Sequence, residues 1–123
     1  MSSAITGAGG QKYRKLLVKQ EGCYATDTAI TLYTATQDCL MYIWRPYSHG
    51  TPYIKINGTV TTSNYSVQLD AEWVLLNDSD EDIEHHIEMC GKGRAKLYLN
   101  TGDYVTLISS NTNAAKVNYR VLV

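Results

Sequence analysis

Four aromatic side chains, Tyr42, Trp44, Tyr47 and Tyr53, flank the loop Arg45-Pro46-Tyr47-Ser48-His49-Gly50. No other stretch of the chain gathers as much binding chemistry. An aromatic face accepts the C–H face of a pyranose, while guanidinium, imidazole and amide groups take its hydroxyls. Trp44, Arg45, Tyr47, His49 and Tyr53 are therefore the candidate ligand-binding residues, for a surface glycan or a protein receptor. The competing reading makes Tyr42 and Trp44 interface core and leaves the loop merely turning the chain. Nucleobases stacked on the same rings would need a basic groove beside them. The chain has 11 Lys and Arg against 12 Asp and Glu, a net charge of -1, so it lacks the concentrated positive face that phosphates require.

Other constellations are weaker. Glu84, His86 and Glu88 share one face of a regular strand, and Ile83, His85, Ile87 and Met89 the other, so the two adjacent histidines point apart. A polar, solvated face explains that ladder more simply than a divalent ion. Asp78, Asp80 and Asp82 begin like a calcium loop, but the sixth position is Ile83 and the twelfth is Met89, where glycine and glutamate are needed. No Gly-x-Ser-x-Gly elbow and no phosphate-cradling glycine loop occurs, and no pair of carboxylates stands out for glycoside hydrolysis. The chain reads as non-enzymatic, with no catalytic residues, no metal site and no cofactor. Cys23, Cys39 and Cys90 are odd in number and widely spaced, so free thiols are the default, with Cys39 to Cys90 the pairing left open.

The elements that would position these residues are all strands. Tyr65, Val67, Leu69, Ala71, Trp73 and Leu75 alternate with Ser66, Gln68, Asp70 and Glu72, the pattern of a ribbon with one dry face and one wet one. Ten tyrosines, two tryptophans and no phenylalanine favour half-buried surfaces over a sealed apolar core. Strands are predicted over 13–19, 29–33, 39–47, 51–56, 59–63, 65–76, 83–89, 94–99, 104–109 and 116–123. A turn is expected at Glu21-Gly22, and Asn57-Gly58 is a strong hairpin signal. Short strands at regular spacing, with turn residues between them, predict an all-β antiparallel sandwich of jelly-roll type with about ten strands. Residues 1–11 read as a flexible leader and 12–123 as a single domain. The leader has no secretory-signal pattern, which places synthesis and folding in a cytoplasm. Cys39-Leu40-Met41-Tyr42-Ile43-Trp44 is apolar on both faces, so its outer face needs a cover, either a neighbouring subunit or a loop of the same chain. Val117, Tyr119, Val121 and Val123 share one face of the last strand, with Leu122 on the other.

Three stretches, taken in order, point to a family. They are Thr34-Ala35-Thr36-Gln37-Asp38-Cys39-Leu40, Tyr53-Ile54-Lys55-Ile56-Asn57-Gly58 and Leu99-Asn100-Thr101-Gly102-Asp103-Tyr104-Val105. Together they resemble the small jelly-roll domains of bacteriophage virion proteins, the fibre heads and receptor-binding tips related to the C1q/TNF-like trimers. Cys39 stands where that pattern prefers glycine. The resemblance implies a viral structural protein: a tail-fibre, receptor-binding or decoration module of a virion, assembled in the host cytoplasm. It implies a homotrimer joined to a larger assembly through the leader, with carbohydrate binding at a host surface and no nucleic-acid or membrane partner. The alternatives are a cytoplasmic small-ligand-binding β-barrel and a small glycan hydrolase.

Overall fold

The computed structural model describes residues 13–70, 74–76 and 87–123, and all the regular structure among them is β. The strands are β1 (Leu16–Ala25), β2 (Ile30–Thr34), β3 (Cys39–Trp44), β4 (Pro52–Ile56), β5 (Val67–Leu69), β6 (Val74–Leu76), β7 (Ile87–Met89), β8 (Arg94–Leu99), β9 (Tyr104–Ser109) and β10 (Ala115–Leu122). They form two five-stranded antiparallel sheets, β1-β10-β3-β8-β7 (sheet A) and β2-β9-β4-β5-β6 (sheet B). The chain changes sheet between β1 and β2, β2 and β3, β3 and β4, β6 and β7, β8 and β9, and β9 and β10, which is the interleaved order of a jelly-roll sandwich.

Period-two patterning builds the core. Cys39, Met41 and Ile43 of β3, Ala95, Leu97 and Leu99 of β8, and Val117, Tyr119 and Val121 of β10 face Ile54, Ile56, Val67, Leu69, Val105 and Leu107 of sheet B. Each large aliphatic side chain removed from water contributes about 1.5–3 kcal/mol. Tyr119 occupies a core position because its hydroxyl finds a partner, donating to the Leu32 carbonyl at 3.1 Å. Cys39 lies in the core, where burial, helped by Asp38 and Asp103, pushes its thiol up to about 11. All three cysteines are free thiols, and the Cys39 to Cys90 bridge is not formed.

Five local expectations are overturned. Glu21-Gly22 is not a turn between strands: β1 runs through it with a bulge between Gln20 and Cys23. Gly22 takes a φ of 71° and gives its N–H to Asn118 Oδ1 at 2.8 Å, outside the ladder. The strand expected over 39–47 ends at Trp44, and 45–50 is loop. Asn57-Gly58 does not close a hairpin. A type I′ turn needs positive φ at both residues, and only Asn57 has it, at 57°. The predicted strand 59–63 is instead loop, held where Thr106 Oγ1 donates to the Gly58 carbonyl and accepts from the Val60 N–H. The run 65–76 is two strands: β5 and β6 pair antiparallel (Val67 with Leu76, Leu69 with Val74), so the chain reverses between them. The register sets Leu75 opposite Gln68 and not opposite Val67 or Leu69, so the single alternation expected over 65–76 does not carry through the reversal. Of the stretch 83–89, Ile87–Met89 forms β7. Asp78, Asp80, Asp82, Glu84, His85 and His86, together with residues 1–11, lie outside the described residues.

Asn57 instead ties the end of β4 to the start of β9, its neighbour in sheet B. Its N–H donates to the Tyr104 carbonyl at 2.9 Å, its Nδ2 donates to Asp103 Oδ1 at 2.9 Å, and its Oδ1 accepts from the Tyr104 N–H. The other carboxylate oxygen of Asp103 caps the turn, accepting the Asn100 N–H at 2.8 Å. Its carbonyl accepts from the Ala35 N–H, and Gly102 donates to the Ala35 carbonyl, each at 2.8 Å. One aspartate therefore joins the connections before β3, after β4 and before β9. Asp103→Ala should lower stability by about 1–3 kcal/mol in urea unfolding, with an unchanged denaturant slope. A midpoint equal to that of the parent chain would show that the network is ornamental.

Candidate functional site

Residues directly opposite in antiparallel pairing share a face, so the register of β3 maps the outer surface of sheet A row by row. Trp44 lies between Asn118 and Arg94, Tyr42 between Arg120 and Lys96, and Leu40 between Leu122 and Tyr98, with Leu16 beyond Leu122. The face thus has an apolar end, Leu16, Leu122, Leu40 and Tyr98, and a cationic-aromatic end, Trp44, Tyr42, Arg94 and Arg120.

At the cationic end, Tyr42, Trp44, Arg94 and Arg120 line an open cleft of about 500 Å3. Tyr42 meets Trp44 edge to face at 6.0 Å, and the Arg120 guanidinium carbon lies 5.4 Å from the Trp44 ring centroid. That distance is within the range of a cation–π contact. The Tyr42 hydroxyl is pushed up, first by its hydrogen bond with Cys90 and then by burial, while the charge of Arg94 and a hydrogen bond with it pull the other way. Arg120 is thus steadied by the Trp44 ring.

The apolar end is partly covered by the chain itself. Arg14 and Lys15 both donate backbone N–H groups to the Val123 carbonyl. This brings Tyr13 edge-on against Tyr98 at 6.0 Å. Leu40 is buried there, yet Leu16 remains 51% exposed, so the cover is incomplete. Tyr98 donates to Glu88 Oε2 at 2.7 Å, and burial, then acceptance by Glu88, push its hydroxyl up to about 12.

The five residues singled out in the sequence do not form one surface. Trp44 lines the cleft. Arg45 turns into its own loop, donating through Nη2 to the Ser48 and Gly50 carbonyls at 2.9 and 3.3 Å, while its Nε is buried without a hydrogen-bond partner. That loop is pinned where Gly50 donates to the Ala114 carbonyl, and a β-carbon at Gly50 would collide with Ser109 Oγ and the Asn113 carbonyl. Tyr47, 82% exposed, and His49 pair edge to face at 5.7 Å at the loop tip. Tyr53 belongs to the other sheet, stacked on Tyr65 at 4.3 Å. Arg94 and Arg120 were missed because they are remote in sequence and converge on Trp44 only once β8 and β10 flank β3. Leu122's outward position did imply that Arg120, two residues earlier, also faces out.

No protein-family model, curated protein or solved structure matches this chain. The Tyr98–Glu88 contact predicts a specific alkaline response. The folded Tyr98 holds its proton above the ordinary value of 10.0, so its stabilising contribution is complete below that pH and is lost as pH rises toward about 12. Following the Tyr98 ring resonance by NMR should place its ionisation near the upper value, and Glu88→Gln should lower it. Ionisation at the ordinary tyrosine value in the parent chain would contradict the burial and hydrogen bond described.

Proposed function

We propose that this chain is a non-enzymatic structural module of a phage-type virion, a fibre-head, receptor-binding or decoration domain that works as a homotrimer. The observation that carries the reading is the outer face of sheet A, where Leu16 remains half exposed at one end of the apolar row formed with Leu122 and Leu40. A contiguous apolar stripe beside an edge strand favours association with another copy, and closed point-group symmetry is the usual outcome. The trimeric state and the place in a virion come from the resemblance of the three turn motifs to phage jelly-roll domains. In this reading residues 1–11 attach the module to a larger assembly. The opposite end, with Trp44 and the exposed Tyr47–His49 pair, faces a host-surface glycan or protein. Loops held at the end of a rigid sandwich are where recognition commonly resides. The interior is tightly closed, with Met41, Ile43, Ile54, Leu69, Leu97, Leu99 and Leu107 fully buried, so a ligand would be met on the surface. Among the described residues no helix is long and apolar enough to cross a membrane.

Light scattering on the purified full chain should report three times the chain mass at micromolar concentration. Leu16→Glu places a charge on the apolar row at an already exposed position, and should shift the mass toward one chain while the isolated sandwich stays folded by circular dichroism. A monomer for the parent chain, or a trimer indifferent to Leu16→Glu, would sink the proposed interface.

A further inference from the structure

The cleft on sheet A has a more specific chemistry than a general sugar surface. Arg120 lies over the Trp44 ring at 5.4 Å, and Arg94 lines the same cleft with Tyr42. Stacking on a ring engages the face of a guanidinium and leaves its in-plane fork of N–H donors directed outward, the geometry that receives a carboxylate bidentately. Among the described residues no carboxylate comes within ion-pair distance of Arg94 or Arg120. The nearby acids are otherwise engaged: Glu88 accepts from Tyr98 and stands opposite Lys96, and Glu21 pairs with Lys19 at 3.3 Å. Arg120 is therefore positioned by an aromatic ring, Arg94 lines the cleft with it, and among the described residues neither has a carboxylate partner.

We propose that the cleft between Tyr42, Trp44, Arg94 and Arg120 binds a carboxylated saccharide of the uronate type. This rests on the recognition-module reading above and names its ligand class. The volume of about 500 Å3 is within the usual range for small-ligand pockets and admits one or two sugar rings. The carboxylate meets the guanidinium forks, and the exposed edges of Tyr42 and Trp44 flank the sugar's C–H surface. A second copy of the chain is a poorer occupant, because a two-fold contact centred here would set guanidinium against guanidinium. A nucleic acid is poorer as well, since the chain carries a net charge of -1 and the cleft supplies two cations without a groove to track a backbone. The proposed trimer contact does not compete for the site. Leu40 and Trp44 are four residues apart on one strand, which separates the apolar row from the cleft by about 13 Å.

The test uses the full chain, NMR and calorimetry, with four probes: a galacturonic acid oligosaccharide, its neutral galactose counterpart, a sulfated galactose oligosaccharide and a short single-stranded DNA. The uronate should saturably shift the Trp44 indole and the Arg94 and Arg120 Nε resonances, and binding should weaken with added salt. Arg94→Ala and Arg120→Ala should each weaken it about tenfold, and the lysine variants should restore only part, because an ammonium lacks the fork. Oligomeric mass should be unchanged in all four, and circular dichroism should show each of them folded. Equal binding of the neutral sugar in the cleft would overturn the carboxylate assignment while leaving the recognition reading standing. Preference for the sulfated sugar or the DNA would overturn the ligand class. Absence of any saturable response would overturn the site altogether, while the light-scattering result decides the structural-module reading independently.

Discussion

The constraint on which the rest of the structure depends is that β3 is a central strand that is apolar on both sides. Its inward residues, Cys39, Met41 and Ile43, are fully buried between the sheets and hold sheet A to sheet B. Its outward residues, Leu40, Tyr42 and Trp44, then lie in the middle of a sheet face, flanked by β10 and β8. An antiparallel sheet can leave one face in water only if that face is polar. Here three different devices meet the requirement: the Tyr13 segment folds over the Leu40 end, Arg120 covers Trp44, and Arg94 and Cys90 engage the Tyr42 hydroxyl. Sheet B solves the same problem differently. Part of its outer face is covered by the chain's own 57–66 loop, with Val60 fully buried and bonded to Thr106.

The two ends of the sandwich are held by different chemistry. At the Leu40 end, Asp103 ties together turns that are remote in sequence, using both its carboxylate and its backbone. Charge-assisted bonds to backbone N–H groups are stronger than neutral ones, so this end is stiff. At the Trp44 end, the Arg45–Gly93 and Gly50–Ala114 backbone bonds and the Arg45 guanidinium hold loop 45–50, and only its tip, Tyr47 and His49, projects. Arg45 thus serves the loop's shape, and the charge at the cleft comes from the strands.

Much of the fold was legible in the sequence, because strand patterning is a local property. β8 and β9 lie where alternation placed them, and β3, β4 and β10 differ at their ends by a few residues. Failures came where a local signal was claimed by a distant partner. Asn57-Gly58 carries a hairpin dipeptide, but the asparagine is consumed by Asp103 and Tyr104. Gly22 signals a turn and instead forms a bulge stabilised by Asn118. The residues of the candidate site were dispersed in the same way. Aromatic density found Trp44 and Tyr42, while grouping by sequence proximity added Arg45 and Tyr53, which strand direction sends elsewhere. Arg94 and Arg120 reach Trp44 by cross-strand register, and register is not written in any single strand.

The central claim is that contact and recognition belong to the outer face of sheet A and not to that of sheet B. Hydroxyl-radical footprinting of the full chain across a dilution series measures this directly, residue by residue. The account predicts protection that grows with concentration at Leu16 and Leu122, with Tyr53 and Lys55 on sheet B unchanged. Protection centred on Tyr53 and Lys55, with Leu16 and Leu122 equally reactive at every concentration, would contradict it.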